Sequence, residues 1–140
     1  MDLGPFPSEV VHDPQFEQLV GNLCLRAGMY VNPVSFAAVC AYLDGFDAAR
    51  SGGPLVGLQQ SLVVRANTGN NLRWPGLARQ QLATDRADAE LPDEERSIQA
   101  LGRLLAEFFE YRRTNGLTKV FHEYARWLRR RSWYTGPLRR

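Results

Sequence analysis

Asp44 and Asp47 stand three residues apart, close enough to share one face of a helix. Two carboxylates so placed can hold a divalent cation or divide the roles of general acid and general base. A hard cation asks for further oxygen ligands, and none follows at a suitable spacing. Arg50, three residues beyond Asp47, offers a plainer reading: a solvated helix edge carrying an Asp47–Arg50 pair. Glu107, Glu110 and Arg103 form a second polar group, opposite the apolar positions from Leu101 to Phe108. It is either a solvated face or an acidic patch able to cover a basic cleft on another protein. The two histidines, His12 and His122, have no cysteine at zinc spacing. Ser61 and Cys40 lie in helical patterns without a nucleophile elbow or a neighbouring base. No catalytic residue, metal or cofactor is therefore expected, which leaves contact surfaces.

The segment from Asn67 to Trp74 concentrates amides, an arginine and an indole. Asn70, Arg73 and Trp74 are its side chains best suited to meet a partner. The opposing possibility is a helix connection in which Trp74 plugs the core. Arg126, Arg129, Arg130 and Arg131 are interleaved with Trp127, Trp133 and Tyr134. Guanidinium groups suit phosphates and rings suit base stacking. Arginines near a helix C-terminus also complement its dipole, and the chain's net charge is only +2. Of 17 basic residues all but Lys119 are arginine. Genomic base composition explains that as simply as selection for bidentate anion contacts.

Positioning these groups requires a folded scaffold, and 140 residues suffice for one domain with its own core. Residues 1–12 contain Gly4, Pro5 and Pro7 and read as an extended lead-in. Asp13-Pro14 is a helix start, and Phe16, Leu19, Val20 and Leu23 supply an amphipathic stripe for a first helix over about 14–26. Asn32-Pro33 repeats the start signal. The nearly continuous apolar run from Val34 to Ala49 predicts a second helix, about 33–50, at the centre of a bundle. Pro54 predicts a third, about 54–66, with Leu55, Leu58 and Leu62 inward. Trp74-Pro75 opens a short fourth, to about Leu82, and the polar stretch from Thr84 to Pro92 connects it onward. Asp93 caps a long fifth helix that Asn115-Gly116 ends. Leu117, Val120, Phe121, Tyr124 and Leu128 mark a sixth over about 117–131, followed by a tail, 132–140, able to dock through Trp133 and Tyr134. The expected fold is an all-α, single-domain bundle of about five or six helices.

Cys24 and Cys40 fall on apolar helical patterns and read as buried free thiols. No apolar run approaches the length of a bilayer span, and the N-terminus lacks the features of a secretory leader. A cytoplasmic protein without membrane contact is expected.

Arg26-Ala27-Gly28-Met29-Tyr30-Val31, Tyr42-Leu43-Asp44-Gly45-Phe46, Asn71-Leu72-Arg73-Trp74 and Leu104-Leu105-Ala106-Glu107-Phe108-Phe109 occur in that order. The series resembles small bacterial proteins with an Arg-Pro-Gly-Met-Tyr turn after the first helix and a Tyr-Leu-x-Gly-Phe segment in the second. Ala27 departs from that pattern, where proline is usual, and leaves Gly28 to take a positive φ. Some of those proteins are immunity proteins of polymorphic toxin systems. The resemblance, over roughly residues 14–110, implies a cytoplasmic protein that binds and neutralises a cognate toxin by occlusion, with no enzymatic activity of its own. Asp44, Asp47, Glu107, Glu110, Asn70, Arg73 and Trp74 are then the candidate contacts. A nucleic-acid-binding or regulatory module built on the Arg-rich C-terminal helix is the alternative. Gly28-Met29-Tyr30 also occurs near the ATP site of type II topoisomerases, but no phosphate-cradling glycine loop accompanies it here.

Overall fold

A computed structural model describes residues 12–84 and 94–134. It is all-helical, with six α-helices among the described residues: α1 (Pro14–Leu25), α2 (Phe36–Ala49), α3 (Leu58–Ala66), α4 (Trp74–Thr84), α5 (Glu94–Asn115) and α6 (Leu117–Arg129). Buried side chains from all six meet in one core, with Phe16, Leu23, Leu43, Leu58, Leu77, Leu101 and Leu105 fully enclosed. No described helix is long and apolar enough to cross a membrane. The lead-in (apart from His12), Asp93, most of the polar connection and the end of the tail lie outside the described residues.

The start of α1 follows the expected chemistry: the Asp13 carboxylate accepts the Phe16 N–H at 3.0 Å, and Pro14 opens the helix. The start of α2 does not. Its cap is Ser35, extended in backbone, whose hydroxyl accepts the Ala38 N–H at 3.0 Å. Asn32-Pro33 therefore precedes the helix instead of beginning it. A second carboxylate, Glu94 from α5, accepts the Phe36 N–H at 3.2 Å. Arg79 of α4 pairs with Glu94 and lies over the Phe36 ring, joining three helices at one corner. The Arg79 hydrogen bond, with lesser help from the Phe36 amide, holds the Glu94 carboxyl below its ordinary pKa.

Between α1 and α2 the chain forms a 3-10 turn over Ala27–Met29, closed by Met29 and Tyr30 N–H groups on Arg26 and Ala27 carbonyls. Gly28 does not take the left-handed conformation expected of it; among the described residues the positive-φ glycines are Gly52, Gly57, Gly69 and Gly116. A 3-10 turn stays in the right-handed region and makes no such demand.

The third helix begins at Leu58 and not at Pro54, because 54–57 is gripped by side chains. Asp47 Oδ1 accepts the Leu55 N–H at 2.7 Å. Arg112 of α5, 3% exposed, donates through Nη1 to the carbonyls of Pro54 and Val56 at 3.0 and 2.9 Å. Gly57 follows at φ +89°, where a Cβ would lie 2.8 Å from Leu117 Cδ2. Leu55, Leu58 and Leu62 nonetheless all point inward.

The central element is α5, which packs on α1, α2, α4 and α6. This corrects the expectation for α2. The apolar run of α2 owes much of its length to Ala37, Ala41, Gly45, Ala48 and Ala49, and those residues are exposed. Small side chains inflate an apolar count without demanding burial. By contrast, α5 buries Ile98, Leu101, Leu104, Leu105, Phe108 and Phe109, and Gly102 lets α1 approach closely: a Cβ there would meet Cys24 Cβ at 2.8 Å.

Candidate functional site

Three of the residues marked by sequence come together. The Asp44 carboxylate accepts the buried indole N–H of Trp74 at 2.8 Å and both terminal nitrogens of Arg73 at 3.1 and 3.2 Å. This joint locks the start of α4 onto α2. Trp74 is core, while Arg73 keeps its side chain 74% exposed and Asn70 is exposed on the preceding turn. Asp47 belongs to a separate arrangement, the capped 54–57 segment. Arg50 is not its partner: the guanidinium reaches Asp13 at 3.0 Å and Gln15, and covers the Phe46 ring. The two aspartates thus serve different clients, and no group of three metal-ligating side chains gathers among the described residues.

Glu107 and Glu110 stand on the outer side of α5, each about two-thirds exposed. Glu110 pairs with Arg113 at 2.7 Å, and Arg113 also holds Glu17 of α1 at 3.0 Å. Glu107 meets Arg65 of α3 at 3.7 Å, a looser pair. This contact forms the lip of a cleft of about 320 Å³ between α3, α5 and α6. Leu62, Leu104, Phe108 and Val120 supply apolar walls, and Tyr111 and Glu123 stand at the far side. The Tyr111 hydroxyl donates to the Glu123 carboxylate, and burial, reinforced by Glu123, pushes the phenol up to about 12. At neutral pH the cleft therefore offers two carboxylates against one guanidinium around an apolar floor. It can hold an apolar group with a cationic end.

Arg65, Tyr111 and Glu123 were not legible as a unit. The only local hint is Glu107 and Tyr111 at helical spacing on α5. Bringing Glu123 opposite requires the reversal at Gly116, φ +83°, which folds α6 back along α5.

The aromatic-basic C-terminus divides into two parts. Trp127 is core, its indole N–H donating to Asn67 Oδ1 at 2.8 Å. Arg131 donates to the same oxygen at 3.1 Å and lies 4.7 Å over the Trp127 ring. Asn67 ends α3 in the left-handed conformation, so this trio ties α3 to α6. Trp133 packs edge-on against Trp127 but remains 55% exposed.

The segments that carry the resemblance also lie at joints. Tyr42 packs edge-on against Tyr30, Asp44 binds Arg73 and Trp74, and Leu104, Leu105, Phe108 and Phe109 fill the core. No protein-family model matches the chain, and no curated protein and no solved structure matches it either.

Proposed function

We propose that this chain is a cytoplasmic immunity-type protein that neutralises a bacterial toxin by binding it and covering its active face. The observation that carries this reading is the cleft between α3, α5 and α6, apolar within and edged by the Glu107 and Glu123 carboxylates. A concave apolar site with a few convergent polar groups suits an anchor side chain from a partner. An apolar anchor bearing a neighbouring cation, as found on toxins that grip phosphate backbones, meets both features. Glu110, paired with Arg113 toward α1, lies outside the cleft, and Arg73 with Asn70 forms a separate exposed edge before α4 as a candidate second contact. Inhibition then needs no chemistry from this chain: bound protein excludes substrate and offsets the positive field that draws substrate in.

The test is protection of cells expressing the toxin encoded beside this chain's gene, together with calorimetry on the purified pair. Glu107→Lys and Ser61→Arg alter the cleft lip without removing core atoms. Each is expected to weaken binding by roughly ten-fold or more, as for loss of a central interface contact, and to lower protection with thermal unfolding unchanged. Full protection by both variants, or no binding to the adjacent product, overturns the proposal.

A further inference from the structure

The outer face of α6 is not used by the cleft or by the core. Lys119, His122, Arg126 and Arg130 all lie exposed on one side of this helix, at i, i+3, i+7 and i+11, with Arg129 half-exposed beside them. The stripe runs about 16 Å at the usual helical rise. Trp133, 55% exposed, stands at its end. Glu123 is the helix's one acid, and its carboxylate accepts from Tyr111 at the cleft. Among the described residues no ion pair holds Arg126, Arg129 or Arg130, and Lys119 donates only to Asn115, at 3.2 Å.

Two ordinary explanations do not account for this pattern. Complementing the helix dipole explains the cations in the last turn, yet Lys119 sits in the first turn, where the dipole opposes positive charge. Keeping a surface soluble calls for interspersed signs, and the one acid among these cations, Glu123, is already taken up by the Tyr111 hydroxyl.

From the geometry we infer that α6 presents a second binding surface, independent of the cleft, for single-stranded nucleic acid. Side chains one helical turn apart are about 5–6 Å from each other, which suits successive phosphates along a strand. Trp133 is placed to stack a base as the strand leaves the arginines. An anionic bilayer fits less well, because an interfacial helix buries its apolar face in lipid, and that face of α6 is in the core through Leu117, Val120 and Trp127. An acidic protein would meet the cations but has no need of an exposed indole.

The experiment is a fluorescence-anisotropy titration of a labelled oligothymidylate, about 12 nucleotides long and so within the usual single-strand site size, with the full chain and no toxin present. Binding is expected to weaken with salt, log affinity against log salt falling with a slope of about −2 to −3, as for three or four single-strand phosphates. Arg126→Glu with Arg130→Glu should lower affinity more than ten-fold. Arg26→Glu, a single charge reversal on an exposed residue beyond α1, should lower it only slightly, and less than either Arg126→Glu or Arg130→Glu alone. Trp133→Phe should retain most binding and abolish the quenching of intrinsic fluorescence, since Trp74 and Trp127 are buried. Any of four results overturns the inference: no binding at low salt, binding indifferent to the Arg126 and Arg130 reversals, equal affinity for a duplex of the same length, or tighter binding to polyglutamate or to vesicles of phosphatidylcholine and phosphatidylserine in equal parts. None of these depends on whether the cleft binds a toxin.

Discussion

Replacing Arg112 by methionine is expected to destabilise the protein by about 2–4 kcal/mol, since one buried and one part-buried carbonyl lose their donor and each unmet buried group costs about 1–3 kcal/mol. The guanidinium also lies 4.9 Å over the Phe108 ring, so Arg112→Lys should recover only part of the loss. Urea unfolding of the two variants checks this. Burial pushes the Arg112 pKa down to about 10, still far above neutral, so the buried group works as a cation. Burial acts the other way on thiols: Cys24 and Cys40 are both pushed up to about 12. Neither should react with a disulfide reagent at pH 8 until the chain unfolds. An unfolded thiol ionises near 9.0, so this part of the stability is full below that pH and falls as pH climbs toward about 12. Melting temperature measured from pH 8 to 11 should decline accordingly. The fate of Asp44 and Asp47 was half legible: their shared spacing was visible, but not that one turns to Trp74 on another helix and the other to the Leu55 amide just past the end of α2. Arg112 carried no signal at all, because an arginine on a helix usually reads as solvent-facing.

At the scale of elements, two glycines on packed helices should respond with opposite signs. Gly21 on α1 has open space where a Cβ would go, so Gly21→Ala should stabilise by about 0.5–1 kcal/mol through helix propensity. Gly102 on α5 faces Cys24 Cβ at 2.8 Å, and Gly102→Ala should cost about 1–3 kcal/mol by forcing α1 and α5 apart. Paired thermal melts decide the matter. Helix existence was readable throughout, because Phe16, Leu58, Leu77 and Leu105 recur with helical neighbours. Helix starts were read correctly at Pro14, Trp74 and Leu117. Asp13 capped α1 as expected, whereas the Asn32-Pro33 signal overshadowed the true cap of α2, Ser35, which Glu94 assists from 58 residues away. Distance in sequence also hid the cleft, whose walls come from three helices. The prominence of α2 misled because alanine and glycine count as apolar yet sit outside, while α5 spreads its buried residues along a strongly charged helix.

For the whole molecule, a core shared by all six helices and organised on α5 predicts one cooperative unfolding transition. Intrinsic fluorescence, dominated by buried Trp74 and Trp127, should change at the same denaturant concentration as far-ultraviolet circular dichroism. The all-helical architecture was the most legible property, since it follows from periodicity summed along the chain. Charge at this scale was the least, because a net value of +2 hides where the unpaired cations lie. The hold of Asp47 and Arg112 on 54–57 has a practical corollary for protein engineering. By composition, Ser51-Gly52-Gly53-Pro54 looks like the natural place to open the chain, to make new termini or graft in a peptide tag. Cutting there would free the backbone that Asp47 and Arg112 bind and loosen the end of α2, the start of α3 and the last turn of α5 in one stroke. The most pliable-looking stretch in the sequence is thus a keystone.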